Sequence, residues 1–386
     1  MARSLDNGTE LMGRKSLIAL LLLLGCSASA LAKAPSAFVP RVVDGAELRF
    51  IGKVPVAILS GSPEELGRQH GELLAGPGAV MVEFPLRFAE YFGVELFWPL
   101  VTQAGKTLVT QAPERHQREL AAIAAHSKLK SEQLAVGNTL LELRRLACST
   151  IVVEPSRSAT GGPIFGRNFD FLTLGDLDKY SMVIVYRPEG KRPFASVTFP
   201  GMVGVFSGMN DAGLAVATLD VERSGDKSRK FNPTGTPLAF VFRRILEECS
   251  TVDEAEALLR SIKATTWMNL TVCDRDGGAT FEITPDHIAR RDDEEGLIRC
   301  TNHFVSEGMS VGETCWRYDG LFDVPPDSLL DVKAVQQRLD AVNQGDQTLQ
   351  TMVFEPRELV LHLAIGEPPV SGNRMERIDL RPLFKR

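Results

Sequence analysis

A cysteine heads a β-branched run, Cys148-Ser149-Thr150-Ile151-Val152-Val153, and a second extended segment follows, Pro163-Ile164-Phe165-Gly166-Arg167-Asn168-Phe169-Asp170. Joined through residues 156–162, which end in Gly161-Gly162, the two read as a β-hairpin. In that pairing Cys148, at the start of its strand, lies opposite Asp170. A thiol beside a carboxylate and a cation has a definite chemistry. The carboxylate orients a nucleophile and its base, and Arg167 favours the thiolate, the form that attacks an acyl carbon. Ideal pleating puts Arg167 and Asp170 on opposite faces, so a bulge or local twist has to bring both to the thiol. The alternative is a structural cysteine buried at a strand start.

The other cysteines depend on where the chain resides. Ser16 to Gly25 is apolar, follows Arg14 and Lys15, and runs into the small residues Cys26-Ser27-Ala28-Ser29-Ala30. That is short for a membrane span and has the form of a signal peptide. Two cuts suit it: after Ala32, or before a lipidated Cys26, since Leu23-Leu24-Gly25-Cys26 looks like a bacterial lipoprotein signal. An uncleaved signal anchor is the alternative. The reading is an exported protein, periplasmic, secreted or held to the membrane as a lipoprotein. Cys148, Cys249, Cys273, Cys300 and Cys315 then remain, an odd set that leaves at least one thiol free in an oxidising compartment. If Cys148 is the free one, the other four form two disulfides or none, and three pairings are open. No CxxC spacing or nearby histidine pair suggests zinc, and neither metal nor cofactor is expected.

Composition excludes other classes. The 386 residues are 44% hydrophobic and 24% charged, which rules out a disordered chain. Lys+Arg 43 against Asp+Glu 49 gives a formal charge of -6, and no basic stripe offers phosphate a site, so nucleic acid is not an expected partner.

These groups need a scaffold. Residues 33 to 147 read mostly as helix: Ser62-Pro63-Glu64-Glu65 has the form of a helix start, Pro113 to His126 carries an apolar stripe, and Ser131 caps a helix through Leu143. From Cys148 the period changes to strands, with a turn at Asn210-Asp211-Ala212-Gly213. Two helices follow, Pro237 to Glu248 and a Thr251-capped Asp253 to Ile262. Strands return at 268–274, 278–283 and 297–301, then a helix near 332–341 and closing strands near 350–363. Strands, two consecutive helices and strands again suit antiparallel sheets with helices outside them, not a doubly wound parallel sheet. Phe84, Phe88, Tyr91, Phe92, Phe97 and Trp98 form an aromatic cluster that either lines an acyl pocket or is plain core.

The ordered set resembles a known family. Cys148-Ser149-Thr150, Gly166-Arg167-Asn168-Phe169-Asp170, Asn210-Asp211-Ala212-Gly213-Leu214, Asn302-His303-Phe304, Ser310 and Arg317 are similar to the N-terminal-nucleophile hydrolases. The branch is that of isopenicillin-N acyltransferase, choloylglycine hydrolase and the acid ceramidase-like amidases. The likeness runs from Cys148 to about Tyr318 and includes a strand pair from Asn269-Leu270-Thr271 to Glu282.

The resemblance implies an α+β fold, a four-layer αββα sandwich with two antiparallel sheets, and cleavage of a linear amide C–N bond through an acyl-thioester on Cys148. It implies that the α-amine of Cys148 is the base; an α-amine has a pKa near 8, so it is substantially neutral at physiological pH. Asp170 would hold that amine and the thiol, Arg167 and Arg317 would flank the nucleophile, Asn210 would donate to the oxyanion, and Asn302 would stand near the scissile bond. A free amine requires self-cleavage at Ala147-Cys148. That divides the chain into the signal (1–32), an α-chain (33–147) and a catalytic β-chain (148–386), the two chains staying together. Self-processing relatives often have Gly where this chain has Ala147. The expected partner is a small-molecule amide. A dipeptidase-like enzyme of the same fold and a non-catalytic lipoprotein binding module are the alternatives.

Overall fold

The computed structural model describes residues 37–139, 147–325 and 328–385, so the signal read at 1–32, Cys26 included, lies outside the described residues. Where the sequence suggests mostly helix, the chain first forms three strands, β1 (Arg41–Val43), β2 (Ala46–Ile51) and β3 (Val54–Gly61). Val54 to Leu59 of β3 are all buried. A strand covered on both faces carries no alternation, which is why the pattern does not show it.

Five helices follow: α1 (Pro63–Met81), α2 (Phe84–Tyr91), α3 (Trp98–Val109), α4 (Glu114–Ser127) and α5 (Ser131–Asn138). The start of α1 is a reciprocal cap. Ser62 Oγ accepts from the Glu65 N–H, and Glu65 accepts from the Ser62 N–H at 2.7 Å. The expected extension of α5 to Leu143 falls on residues beyond the described ones.

The chain then runs through β4 (Ala147–Val153), β5 (Ile164–Asp170), β6 (Met182–Pro188), β7 (Phe194–Thr198), β8 (Ser207–Asn210) and β9 (Ala215–Asp220). Helices α6 (Leu238–Glu248) and α7 (Val252–Ser261) precede β10 (Met268–Cys273), β11 (Gly278–Ile283), β12 (Ile288–Arg291) and β13 (Leu297–Cys300). The last elements are α8 (Trp316–Gly320), α9 (Val332–Ala341), β14 (Thr348–Glu355), β15 (Val360–Ile365), β16 (Glu376–Asp379) and α10 (Arg381–Phe384).

Two sheets form. One has the order β1-β2-β3-β6-β7-β8-β9-β10-β11-β12, the other β13-β4-β5-β14-β15-β16. All named pairs are antiparallel except β3 with β6, which is parallel. Thus the section before Cys148 is more than a helical layer: its strands extend the larger sheet.

Three apolar clusters give the layer order. Leu66 and Leu73 of α1, Val241 and Ile245 of α6 and Leu259 of α7 pack with Leu59, Ile184 and Phe281 on the outer face of the larger sheet. Val56, Val183 and Val185 meet Val152, Phe165 and Met352 between the sheets. Ile151, Ile164 and Val353 pack outward on Val335 and Leu339 of α9. This is the αββα sandwich. A Cβ at Gly166 would stand 2.5 Å from Val335 Cγ1, so the glycine beside Arg167 serves the close approach of α9 to β5.

A buried polar group ties the section before Cys148 to α6. Arg243 Nη2 donates to Glu119 Oε2 of α4 at 2.6 Å, and Arg243 Nε donates to Glu247 Oε1 at 2.9 Å. His116 Nε2 lies 3.1 Å from Glu247 Oε2. Breaking one partner of such a buried set leaves an uncompensated charge and costs about 3–5 kcal/mol.

Candidate active site

The β4–β5 register differs by one residue from the sequence expectation. Ala147 opposes Asp170, and Cys148 opposes Phe169. The consequence favours the site. Cys148, Thr150, Arg167 and Phe169 now share the face that looks toward the larger sheet, where Thr150 Oγ1 lies 2.8 Å from Thr271 Oγ1. The expected bulge is present in a different strand: β14 shifts register between Thr348 and Gln350, opposite Asp170 and Phe169.

Cys148 is fully buried, and Arg167 Nη2 donates to its Sγ at 3.3 Å. The rest of that guanidinium is anchored across the sandwich, Nη1 donating to the carbonyls of Phe206 (3.1 Å) and Thr218 (2.8 Å). Five donors in a planar fork suit this double duty. Burial raises the Cys148 thiol above its ordinary pKa; the Arg167 and Arg317 charges and the Asp170 N–H oppose that rise, and the Asp170 carboxylate adds to it. The thiol is therefore held protonated, beside a guanidinium that would stabilise its anion.

The backbone of Cys148 is held from the other side. Its N–H donates to Asn302 Oδ1 at 2.7 Å, and its carbonyl accepts from Arg317 Nη1 at 2.5 Å. Arg317 also reaches Ser149 Oγ (3.2 Å) and Asn302 Oδ1 (3.0 Å), and Asn302 Nδ2 donates to the Asp220 carbonyl at 2.8 Å. Asn302 thus holds the nitrogen of the Ala147-Cys148 peptide, the bond that self-cleavage would break, and Arg317 holds the carbonyl of the peptide that follows it. Asp170 Oδ1 accepts from Thr348 Oγ1 at 2.7 Å, while its Oδ2 is buried without a partner among the described residues. Burial raises the Asp170 pKa to about 6, against the lowering effect of Thr348, Arg317 and Arg167.

Asn210 is a correction. Its side chain donates to the carbonyls of Leu246 (2.9 Å) and Cys249 (2.7 Å) at the end of α6, and its Oδ1 accepts from Ala212 N–H and Leu214 N–H. Both amide hydrogens are spent, so none is left for an oxyanion. This residue is an Asx turn that also caps a helix.

Two contributors were not singled out as site residues from the sequence. Thr348, which fixes Asp170, lies 178 residues away in the chain. Asn269 pairs with Glu282 as expected, and its Nδ2 also braces the loop that carries Asn302, donating to the carbonyls of Thr301 (3.0 Å) and His303 (2.9 Å). The described cysteines are all unpaired.

An apolar pocket adjoins Cys148. Its wall includes Phe169, the strand partner of Cys148, and Phe206, whose carbonyl anchors Arg167; the two rings stack 6.1 Å apart. Met81, Phe84 and Leu134 complete it from the section before Cys148. The aromatic cluster divides: Phe84 lines the cavity, Phe88 stacks on Phe171 at 5.3 Å, and Tyr91 and Phe97 face solvent.

Residues 157–315 match the family described as acyl-coenzyme A:6-aminopenicillanic acid acyl-transferase. An uncharacterized protein of Archaeoglobus fulgidus is 22% identical over 342 residues, and the match covers 73% of this chain and 57% of that one. The chain therefore spans little more than half of that relative's length. Among solved structures, a Caenorhabditis elegans ortholog of N-acylethanolamine-hydrolyzing acid amidase is 17% identical with a TM-score of 0.44, covering 58% of this chain and 95% of that one. A conjugated bile acid hydrolase from Clostridium perfringens is 15% identical with a TM-score of 0.44, covering 62% and 94%. Penicillin V acylase from Agrobacterium tumefaciens is 16% identical with a TM-score of 0.39, covering 56% and 83%.

Proposed function

We propose that the chain, whose residues 157–315 match the acyl-coenzyme A:6-aminopenicillanic acid acyl-transferase family, is a cysteine amidase of the N-terminal-nucleophile hydrolase type. It cleaves, or transfers the acyl group of, a linear amide in an N-acylated small molecule. The carrying observation is the Arg167 Nη2 to Cys148 Sγ contact of 3.3 Å at the head of β4.

The reaction begins on the chain itself. Cys148 Sγ attacks the Ala147 carbonyl, the Ala147-Cys148 peptide gives way to a thioester, and water releases Ala147 as a carboxylate. Cys148 then carries a free α-amine. Asn302 Oδ1, already the partner of that nitrogen, and the Asp170 carboxylate hold it beside the thiol. The neutral amine accepts the thiol proton as sulfur attacks the substrate carbonyl, and passes it to the departing amine. Water or a second amine resolves the acyl-thioester.

The cavity argues for an apolar acyl group, since Phe84, Phe169, Phe171 and Phe206 among its walls offer area but few polar partners. Export through residues 1–32, or anchoring by a lipid on Cys26, belongs to the same reading. Its test is mass spectrometry of purified protein, followed by assay on amides with graded acyl chains. The expected result is two chains that meet at Ala147/Cys148 and an uncut, inactive Cys148→Ala. Full activity with the bond intact would overturn the free-amine mechanism, and preference for peptides over N-acyl amides would favour the dipeptidase alternative.

A further inference from the structure

Four of the five described cysteines are buried, and Cys315 alone is partly exposed. It does not stand by itself. Cys315 Sγ lies 3.3 Å from Thr301 Oγ1, and Thr301 Oγ1 lies 3.0 Å from His303 Nδ1. The His303 ring is fixed edge-on against Tyr318 at 5.3 Å. Burial alone would raise the Cys315 thiol, but the His303 and Thr301 hydrogen bonds, the Tyr318 N–H and the Arg317 charge bring it down to about 6. Burial instead raises Cys249 to about 11 and Cys300 to about 12.

The position is also coupled to the nucleophile. Cys315 immediately precedes α8, and its carbonyl accepts from the Tyr318 N–H at 2.8 Å. Arg317, in the first turn, holds the Cys148 carbonyl and Asn302; Thr301 and His303 flank Asn302 in the chain. Cys315 is only partly exposed, so an adduct on it lies against these neighbours.

We propose that Cys315, with Thr301 and His303, is a second reactive thiol, a modification site for small disulfides whose occupancy draws Arg317 away from Cys148. In the step, Cys315 thiolate attacks one sulfur of the disulfide. The disulfide bond breaks, a mixed disulfide forms on Cys315, and the other half leaves as a thiolate that takes up the proton Cys315 has lost. No net oxidant is consumed. The loss of activity rests on the reading of Cys148 above; the adduct does not.

Oxidised glutathione at pH 6 is the probe, with peptide mass mapping over time. Cys315 is expected to carry the first adduct in the wild type and equally in Cys148→Ala. His303→Ala is expected to slow its formation roughly fivefold, because a higher thiol pKa cuts the thiolate fraction more than it raises nucleophilicity. Amidase activity is expected to fall with the adduct and return with a thiol reductant, and Cys315→Ser is expected to be active and insensitive. A first adduct on another cysteine, or an unchanged rate in His303→Ala, overturns the reactive site. Full activity in the modified enzyme overturns the coupling. An enzyme that lacks amidase activity from the outset tells against the function and leaves the adduct measurement standing.

Discussion

Arg167 and Cys148 meet on the inner face of adjacent strands, with Nη2 of one 3.3 Å from Sγ of the other. The guanidinium is not free to follow the sulfur, because Nη1 is committed to the Phe206 and Thr218 carbonyls. Its charge is preorganised at the point where a thiolate on Cys148 would develop, which is where a fixed donor lowers a barrier most. Arg167→Gln is therefore expected to lower kcat/KM on the order of 100-fold, with self-cleavage slowed in parallel. Arg167→Lys, which keeps charge but loses the fork, is expected to recover only part of the rate. Steady-state kinetics and a time course of chain cutting check both.

Asn302 and Asn210 occupied equal places in the sequence pattern and have unequal fates in the fold. Asn302→Ala removes the acceptor of the Cys148 N–H, so cutting and turnover are expected to collapse by far more than the accompanying loss of stability explains. Asn210→Ala leaves the Leu246 and Cys249 carbonyls without their donor, a loss of about 2–3 kcal/mol in stability. Activity per folded molecule is expected to persist. Urea unfolding beside specific activity separates the two outcomes.

The contrast shows what the chain makes legible. Residue types at the head of β4 and along β5 suggest the chemistry proposed above, and the strand and helix periods suggest the sandwich that the fold has. Register was off by one because residues 148–153 and 164–170 are all buried, so neither strand carries an alternation that could pin it. The strands β1 to β3 were hidden for the same reason in β3. Asn210 misled because a turn asparagine and an oxyanion donor look alike until the partners of the amide are known. Thr348 left no local signal at all, since its partner Asp170 is brought to it only by the pairing of β5 with β14.

Asp170 sets an expected acid limit. Its carboxyl is raised to about 6 by burial, so below that pH it is protonated and no longer accepts from an ammonium or amine at Cys148. The logarithm of kcat/KM is expected to fall with unit slope below about pH 6. Thr348 lowers that pKa, so Thr348→Val should move the limb to higher pH. In the folding equilibrium the sign is the reverse of the usual carboxylate. A raised native pKa favours the folded state below about pH 6, and that contribution is lost as pH rises through it. A limb that stays in place in Thr348→Val would assign the titration to another group.

His70 gives the opposite slope. It is buried in α1, and its Nε2 accepts from the Gly201 N–H at 2.8 Å, so the native state needs that nitrogen unprotonated. Gly201 lines the apolar pocket beside Phe169, and its carbonyl accepts from Asn138 Nδ2 at 2.9 Å; Asn138 Oδ1 in turn holds Val203 N–H. The section before Cys148 thus fixes one wall of the pocket through His70 and Asn138. Burial first, and Arg243 second, lower the His70 pKa to about 3. Between about pH 6.5 and 3 the unfolded chain binds a proton there that the native chain refuses, so stability is full above 6.5 and drains as pH falls through that window. At pH 5 the loss from this residue is about 2 kcal/mol. His70→Gln, which keeps an acceptor without titrating, is expected to narrow the stability difference between pH 7.5 and pH 5 by that amount. Urea midpoints at the two pH values measure it, and an unchanged difference would show that His70 does not carry the acid sensitivity.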